Sequence, residues 1–509
     1  GFGFEFRRFY NSQAPTPGPF GAGWTHSYNL KIAEDATSAT VTLDDGHDEV
    51  YDKTGSTFTP RDRGVYNTLV KNPDNSYTIT QKSQRKLNFN TGGKLTTIVD
   101  RNNNTAVMDY DGNNRLSRVN IPGGRTVDFT YDGSDRITQI TDTLTPSPRT
   151  VNYAYDGNNN LISVTDPRGS VTQFTYDSLH QMLTARDPRN NVFVTNTYDG
   201  NKLVTYQTDS KGNATQFSYN FPQGKTTIID PMGNLSYDYH DAFKRMIKRV
   251  DRLGKSYSYT YDINNNRLSV LDKKNNPTLY EYDAKGNVTK QTDPNAKIVT
   301  ITYDAKNNPL VRTDELGNTT TFVYDVNGNL TQTTEPLGKV TNFTYDSFGQ
   351  LLTVTDALGR TTTNSYDATG NLITITDALT NVTTYGYDSI GRRTSTTDAR
   401  AKTTQFSYDK AGNVLSVTDP LGNVIANEYD PNGNRTKITD ARGGITLFEY
   451  DPNNLLTKVT DAKGGIVINT YNALDRKTAV KDQRNFTTNL EYDLEGRLTK
   501  ATDPLGNFS

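Results

Sequence analysis

Aspartate is the side chain whose number and spacing in this sequence suggest chemistry. The chain carries 57 Asp and Glu residues against 55 Lys and Arg residues, and a close pair of carboxylates can act as acid and base or nucleophile in hydrolysis. The aspartates recur at fixed intervals along the chain, however, whereas a catalytic pair is a single constellation. A short carboxylate also accepts hydrogen bonds from backbone N–H groups two residues further on, which closes a turn. We therefore predict turn-forming aspartates and no enzyme activity.

Other candidate sites are few. The acidic run at 44–49 lacks the ligand spacing of a calcium hand, and we interpret it as an acidic hairpin turn. The histidines are His26, His47, His180 and His240, and none of them pairs with a cysteine or with a nearby histidine. The sequence holds no Gly-x-Ser-x-Gly nucleophile elbow and no phosphate-binding glycine loop. We predict no catalytic residue, no cofactor and no metal.

Composition excludes several classes of protein. The net charge is −2, whereas a nucleic-acid-binding protein needs a clustered cationic excess. Aromatic residues make up 10% of the chain, which is high for a disordered protein. No stretch approaches the roughly 18 apolar residues of a membrane span. The chain has no Cys, so a disulfide framework is excluded and either side of a membrane would suit it.

The elements that position the aspartates form a repeat. From Tyr345 the pattern restarts at Tyr366 and again at Tyr387, a period of 21 residues. Projected along the chain, this period gives twenty slots from Phe89 to Tyr492, and 18 of them hold Tyr. Short segments rich in Thr, Val and Tyr alternate apolar and polar residues, the pattern typical of strands. Each repeat is predicted to be one β-hairpin, which makes the chain an all-β, continuous antiparallel sheet of about twenty hairpins.

Two turn signals divide each repeat. The first is Tyr-Asp-x-x-Gly, and the second is an Asp eleven residues after the Tyr, present in 18 of the twenty repeats. The fourth residue after the Tyr is Gly, Asn, Asp or His in 17 of the twenty, and these residues tolerate a positive φ best. The consecutive exceptions Lys202, Gln223 and Lys244 predict a different turn or an outside contact. In three representative repeats the predicted structural turn residues are Tyr345, Asp346, Gly349 and Asp356; Tyr366, Asp367, Gly370 and Asp377; and Tyr408, Asp409, Gly412 and Asp419.

Parity along the strands places Tyr, Phe, Leu and Val on one face of the sheet and Thr, Ser, Asn, Gln and Lys on the other. We expect the Tyr residues of successive repeats to stack into ladders, worth about 0.5–1.5 kcal/mol per pair. Residues 1–86 lack the phased repeat and hold the single Trp. We interpret them as a β-rich cap that covers an open sheet edge, and 87–509 as the repeat domain.

Two kinds of motif carry a family resemblance. One is the repeat itself, as in Tyr324-Asp325, Gly328-Asn329-Leu330 and Glu335-Pro336-Leu337-Gly338, and the other is the opening Arg8-Phe9-Tyr10-Asn11-Ser12 with Phe20-Gly21-Ala22-Gly23-Trp24-Thr25-His26-Ser27-Tyr28. Over nearly the whole chain they resemble the RHS/YD-repeat family, the shell proteins of bacterial polymorphic toxins and toxin complexes, related to teneurin shells. The resemblance implies a sheet that spirals into a hollow, shell-like wall around a C-terminal toxin or effector.

The resemblance also implies what lies elsewhere. The chain stops within a repeat at Ser509, so we expect a segment of a longer, secreted or cell-surface protein whose effector lies outside this chain on the same polypeptide. Further partners would be other copies or a secretion or surface partner, with no nucleic acid and no membrane span. A second interpretation stays open, in which the protein is a cell-surface adhesin or filament wall that binds glycans or partner proteins.

Overall fold

A computed structural model describes residues 4–14, 17–143 and 148–508 of the chain. Within these ranges the chain folds into 50 strands and two 3-10 turns, Phe221–Gln223 and Pro336–Gly338. The predicted all-β sheet of consecutive hairpins is thereby confirmed. Neither of the two helical turns has the length or the apolar character that a membrane crossing requires.

Most strands are four to seven residues long and end at a Tyr or Thr of the repeat. They are β1 (Arg8–Tyr10), β2 (Pro17–Gly18), β3 (Gly21–Ala22), β4 (Trp24–His26), β5 (Lys31–Glu34), β6 (Ser38–Thr42), β7 (Asp48–Thr54), β8 (Thr57–Pro60), β9 (Thr68–Lys71), β10 (Tyr77–Thr80), β11 (Lys86–Phe89), β12 (Leu95–Val99), β13 (Thr105–Tyr110), β14 (Leu116–Asn120), β15 (Thr126–Tyr131), β16 (Ile137–Asp142), β17 (Arg149–Tyr155), β18 (Leu161–Thr165), β19 (Val171–Tyr176), β20 (Met182–Arg186), β21 (Val192–Tyr198), β22 (Val204–Thr208), β23 (Ala214–Asn220), β24 (Lys225–Ile229), β25 (Leu235–His240), β26 (Met246–Val250), β27 (Ser256–Tyr261), β28 (Arg267–Leu271), β29 (Pro277–Tyr282), β30 (Val288–Thr292), β31 (Ile298–Tyr303), β32 (Pro309–Thr313), β33 (Thr319–Tyr324), β34 (Leu330–Thr334), β35 (Val340–Tyr345), β36 (Leu351–Thr355), β37 (Thr361–Tyr366), β38 (Leu372–Thr376), β39 (Val382–Tyr387), β40 (Arg393–Thr397), β41 (Thr403–Tyr408), β42 (Val414–Thr418), β43 (Val424–Tyr429), β44 (Arg435–Thr439), β45 (Ile445–Tyr450), β46 (Leu456–Thr460), β47 (Ile466–Tyr471), β48 (Lys477–Lys481), β49 (Thr487–Tyr492) and β50 (Leu498–Thr502).

Strands β9–β50 form one antiparallel sheet of 42 strands, in which successive strands of the sequence are neighbours. Three smaller sheets precede it, formed by β1 with β4, by β2 with β3, and by β5–β8. The predicted boundary between residues 86 and 87 stays a prediction, and β9 and β10 already belong to the long sheet. The interval from Tyr131 to Tyr155 is three residues longer than the 21-residue period, and part of it, residues 144–147, lies outside the described residues.

The two turns of a repeat join their strands in different registers. At the Tyr-Asp turn, Tyr345 lies opposite Leu351, and the pairing shifts between Thr344 and Tyr345. At the second-Asp turn, Thr355 pairs with Thr361 and the register continues without a shift. A β-bulge leaves one residue unpaired and increases the local twist of the strands. The Tyr slot therefore adds twist to the sheet once in each such repeat.

Contacts divide the chain into two compact units. Each of them combines an early and a late part of the repeat array. Unit 1 consists of Gly1–Thr150, Tyr259–Leu271 and Asn275–Lys402, and unit 2 consists of Val151–Ser258, Asp272–Lys274 and Thr403–Ser509.

In unit 1 the N-terminal segment covers one face of the first repeats. The ring of Phe6 lies 5.7 Å from the ring of Phe129, centroid to centroid. The backbone N–H of Ile137 donates to the carbonyl of Pro19 at 2.8 Å. Phe129 and Phe89, which lies two repeats earlier, are buried. The segment thus removes from water apolar side chains that a single-layer sheet would leave exposed.

The three unusual turn residues do not share one geometry. Lys202 and Lys244 have φ values of 63° and 62°, the left-handed conformation of the other Tyr-Asp turns, so the prediction of a different turn is wrong there. It is confirmed at Gln223, where a 3-10 turn forms and Gly224 takes the left-handed conformation with a φ of 59°. A lysine tolerates this conformation at a cost of roughly 1–2 kcal/mol, which the hydrogen bonds of the turn offset.

The second-Asp turn also requires a left-handed residue, three positions after its aspartate. Gly359 fills this position with a φ of 78°, whereas later repeats place Thr380 and Ala401 there with φ values of 66° and 58°. A β-branched side chain at positive φ is strained. The repeat therefore carries a local strain at Thr380 that glycine would remove.

We expect the effect of a substitution at these turns on the free energy of unfolding to depend on the φ of the replaced residue. Gly359→Ala should lower the free energy of unfolding by about 1 kcal/mol, although no atom lies within 4 Å of the added Cβ. Thr380→Gly should raise it by up to about 1 kcal/mol, because the relief of strain exceeds the extra freedom of an unfolded glycine. Gly133, also open to a Cβ but without a positive φ, is the control. Equal urea midpoints for Gly359→Ala and Gly133→Ala would refute the assignment of a required left-handed conformation at position 359.

Candidate functional site

The Tyr-Asp turn is closed by its aspartate. Asp346 Oδ1 accepts hydrogen bonds from the backbone N–H groups of Phe348 at 2.9 Å and Gln350 at 2.8 Å. The N–H of Gly349 donates to the carbonyl of Asp346 at 3.1 Å, and Gly349 has a φ of 76°. One carboxylate oxygen thus fixes a five-residue loop between two strands. The same arrangement joins Asp367 to Gly370 and Asp409 to Gly412 in their own repeats.

The second-Asp turn uses the same device. Asp356 Oδ1 accepts from the backbone N–H groups of Leu358 and Arg360, both at 2.9 Å. Its other oxygen, Oδ2, accepts from Arg360 Nε at 2.6 Å. Asp377 and Asp419 close their turns in the same way, with the side chain of an Asn on Oδ2. Both oxygens of these carboxylates are therefore engaged inside the turn.

These hydrogen bonds favour the ionised form of Asp367, Asp377 and Asp419. At Asp377 and Asp419 the side-chain amide of the following Asn, and then its backbone N–H, lower the pKa of the carboxyl. At Asp367 burial raises the pKa, but the hydrogen bonds from Asn371 and Thr369 outweigh it, and the pKa is lowered. Acid–base hydrolysis needs one carboxyl whose pKa is raised. The pKa values of Asp367, Asp377 and Asp419 are shifted in the opposite direction.

The prediction that stacked Tyr rings link successive repeats is wrong. Residues one repeat apart lie two strands apart, about 9.6 Å, whereas stacked rings lie about 4.5–7 Å apart. Instead, the hydroxyl of Tyr366 donates to the carbonyl of Leu351 at 2.9 Å, and that of Tyr387 donates to Leu372 at 2.8 Å. Each hydroxyl ties its hairpin to the preceding one. Equivalent bonds to the residue fifteen positions earlier are made by Tyr110, Tyr131, Tyr176, Tyr219, Tyr282, Tyr303, Tyr429, Tyr450, Tyr471 and Tyr492.

The remaining candidate residues have structural partners. Tyr345 and Tyr408 are half-buried in the sheet. The acidic run at 44–49 spans the hairpin between β6 and β7, and Asp45 Oδ1 accepts from the N–H of His47 at 2.9 Å. His26 is buried, and burial lowers its pKa to about 3. In the described ranges, no three or more His, Asp or Glu side chains are grouped to hold a metal ion.

The turns also meet one another. Within unit 2, second-Asp turns of early repeats lie against Tyr-Asp turns of late repeats, and we name this contact the seam. Arg189 Nη1 lies 3.3 Å from Asp430 Oδ2, and its Nη2 donates to the carbonyl of Asp451. Lys211 Nζ lies 3.2 Å from Asp451 Oδ2 and 3.0 Å from Asp475 Oδ1. Basic residues of one turn row therefore neutralise aspartates of the other.

Unit 1 has a seam of the same kind, with more amide contacts. Arg101 Nη1 donates to the carbonyl of Gly328 at 2.8 Å. The side-chain amides of Asn102 and Asn329 donate to each other, at 3.2 and 2.8 Å. These two residues are 227 positions apart, about eleven repeats of 21 residues. The seam thus joins repeats that are remote in sequence.

The sequence analysis does not predict the seam, and residue type at the turns does not reveal it. The position two residues after the second Asp holds Arg168, Arg189 and Lys211 in repeats that form seam ion pairs. The same position also holds Arg400, Arg442 and Arg484 in later repeats. A basic residue at this position therefore does not by itself mark a seam contact.

The sequence matches three known families. It matches the teneurin YD-shell family over residues 232–420 and the RHS repeat family over 110–146, 155–192, 429–466 and 471–507. Residues 1–51 match DUF6531, a domain of unknown function. No curated protein sequence matches the chain.

Several solved structures have a similar fold. The crystal structure of TcdB2-TccC3 is 13% identical, with a TM-score of 0.50, over 94% of this chain and 35% of that one. The TcdB2-TccC3-TEV structure is 12% identical, with a TM-score of 0.51, over 98% and 36%. A Photorhabdus luminescens Tc holotoxin pore is 13% identical, with a TM-score of 0.50, over 94% and 36%. The present chain therefore spans about a third of those chains.

We expect acid to destabilise the protein in two steps. His26, with a folded pKa of about 3, stays neutral while the unfolded chain binds a proton, so stability falls as pH drops below about 6.5. Asp367, Asp377 and Asp419 have lowered folded pKa values, so their contribution is complete above about pH 4 and is lost in stronger acid. Melting temperatures measured from pH 7.5 to 3 should show both steps. His26→Gln should remove only the upper one, and a profile that is flat down to pH 3 would contradict both assignments.

The seam should contribute more to stability than exposed ion pairs. Arg189→Met leaves Asp430 without its cation, and the side chains of this pair are 18% and 11% exposed, so we expect a loss of about 2–4 kcal/mol. Arg360→Met is the matched control, because the Arg360 side chain is 67% exposed beside Asp356 and such pairs contribute less than about 1 kcal/mol. Urea unfolding of both variants measures the difference. Equal losses would mean that the seam carries no special stability.

Proposed function

The chain belongs to the RHS/YD-repeat family, and we propose that it is a structural β-shell segment of a protein that encloses or carries a C-terminal toxin or effector domain. The effector would belong to the same polypeptide and lie outside this chain. The wall would act without catalysis, cofactor or metal. We further propose a secreted or cell-surface location, with other copies or a secretion or surface partner as possible contacts.

One observation supports this proposal above the others, namely the uncovered apolar face of the later repeats. Among the described residues that follow Ala185, no hydrophobic residue is buried. The apolar pattern nevertheless continues, since Phe343 pairs with Val354 across neighbouring strands. Half-buried apolar side chains on a single-layer sheet favour contact with another polypeptide. A guest chain would supply that contact.

The opposite face supports a wall rather than the core of a globular domain. Thr344 Oγ1 and Thr353 Oγ1 lie 2.6 Å apart on neighbouring strands, and Ser365 Oγ and Thr374 Oγ1 repeat the contact at 2.5 Å. Cross-strand hydroxyl pairs stabilise a sheet without a second apolar layer. A sheet with one polar and one apolar face suits a boundary between solvent and an enclosed chain.

The occupied carboxylates support a role without catalysis. Both oxygens of Asp377 and Asp419 accept hydrogen bonds from their own turns. A nucleophile or general base needs a free lone pair within reach of a substrate. In these aspartates both carboxylate oxygens already accept hydrogen bonds from the turn.

A second candidate function, a filament wall or adhesin, is favoured by a row of exposed leucines at the second-Asp turns. Leu316 is 81% exposed and Leu337 is 97% exposed. Exposed apolar side chains at a regular interval favour association with a partner. The row consists of Leu316, Leu337, Leu358, Leu379, Leu421 and Leu505.

Protease protection distinguishes the two functions. In the full-length protein, we expect the region that follows the repeats to resist trypsin at least tenfold longer than the same region produced alone, because a wall excludes the protease. Cryo-electron microscopy should show density enclosed by the sheet. Cleavage of both forms at the same rate would exclude enclosure. Concentration-dependent assembly that is lost when the exposed leucines are replaced by serine would favour the filament wall.

A further inference from the structure

The seam of unit 1 contains a gap. A cleft of about 390 Å³ opens between the turn at 121–125 and the Tyr-Asp turns that begin at Asp346 and Asp367. In this turn Ile121 replaces the usual aspartate, and Pro122 and Gly123 follow it. The described residues that line the cleft include no Arg and no Lys. The seam here lacks the cation found at equivalent places in unit 2.

Unit 2 shows what the cation does. Arg189, which follows Pro188, lies between two successive Tyr-Asp turns. Its Nη1 lies 3.3 Å from Asp430 Oδ2 of the first turn, and its Nη2 donates to the carbonyl of Asp451 in the second. Arg168 repeats the arrangement one hairpin earlier, with Nη1 lying 3.5 Å from Asp409 Oδ2. A guanidinium group thus binds a carboxylate and the carbonyl of the next turn together.

The cleft in unit 1 offers the same acceptors. Gly123 occupies the position of Arg189, since both follow a proline in the second-Asp turn. By the same alignment, Asp346 corresponds to Asp430 and Asp367 to Asp451. The described lining of the cleft therefore contains Asp346 and Asp367, whose carboxylate and carbonyl correspond to the groups that Arg189 contacts, but it contains no cation.

Two acceptor atoms in the cleft lining have no donor among the described residues. Gln350 Oε1 is buried and unpaired. Asp346 uses Oδ1 for its turn, and no described residue donates to its Oδ2, whereas Asp367 Oδ2 accepts from Asn371 at 2.9 Å. A buried acceptor without a donor destabilises the folded state. A planar guanidinium group, with its several N–H donors, would donate to both Gln350 Oε1 and Asp346 Oδ2.

The chain cannot fill the gap from position 123. Gly123 has a φ of 93°, and a Cβ added to it would lie 3.1 Å from the Cα of Thr369. A side chain there is excluded by both backbone conformation and space. The cleft wall also carries Phe348, which is 58% exposed, and an aromatic face is a good surface for a guanidinium group.

We infer that this cleft binds the guanidinium group of an arginine side chain supplied by another polypeptide. Asp346 Oδ2 and Gln350 Oε1 accept its N–H donors, as Asp430 accepts those of Arg189, and the carbonyl of Asp367 completes the set. The apolar part of the arginine lies against Phe348 and Leu352. The site is distinct from the uncovered sheet face, and its occupant is defined by its charge and planar shape.

The test uses N-acetyl-arginine methylamide as the probe and saturation-transfer NMR on the whole chain as the measurement. The neutral isostere N-acetyl-citrulline methylamide should bind at least tenfold more weakly. Asp346→Asn should weaken the arginine probe at least tenfold and leave the turn closed, because Asn472 closes its own turn with bonds to Leu474 at 3.0 Å and Arg476 at 3.1 Å. Asp314→Asn, a turn aspartate outside the cleft, should leave binding unchanged.

A second variant tests the equivalence between the Arg189 contact and the proposed site. Arg189→Gly opens an equivalent cleft in unit 2, so the arginine probe should occupy two sites instead of one and raise the melting temperature of this variant more than that of the unmodified chain. Equal affinity for the arginine and citrulline probes, or undiminished binding by Asp346→Asn, overturns the proposal even if Arg189→Gly does not fold.

Discussion

A single carboxylate oxygen that accepts two backbone N–H groups is the interaction on which the rest of this protein depends. In both turns of a repeat, the aspartate receives the N–H groups two and four residues further on, as at Asp346 and Asp356. This closes most loops at the same length and returns each strand beside its predecessor. The regular sheet follows, because identical loops keep the strands in register over the whole array.

Two further interactions convert a row of hairpins into a wall. The Tyr hydroxyl bonds to the preceding hairpin, as Tyr366 does with Leu351, and so couples nearest neighbours. The seam couples repeats that are more than two hundred residues apart, as Asn102 does with Asn329. A repeat array held only by nearest neighbours can open at any point. Within each unit, the seam adds a second direction of contact and opposes such opening.

The sequence predicted what is local and missed what is remote. The hairpins, the turn aspartates and the left-handed glycines follow from interactions within five residues, so a 21-residue consensus contains them. Residue propensity does not predict the positive φ of Lys202 and Lys244, because the hydrogen bonds of the turn enforce it. Apolar patterning does not predict the role of the Tyr slot, because the spacing of two strands is too large for ring stacking between repeats. The seam does not follow from the repeat consensus, because its partners occupy different repeats.

The equivalence of the turns has a consequence for how such a chain evolves. Arg189 meets a carboxylate and a carbonyl, and the next repeat presents the same two groups 21 residues later, at Asp451. Loss or duplication of one whole hairpin between seam partners therefore shifts the alignment to another turn with the same acceptors. Unequal recombination can change the number of hairpins without destroying the contacts that hold them, so the gene can vary in length while its product keeps its architecture.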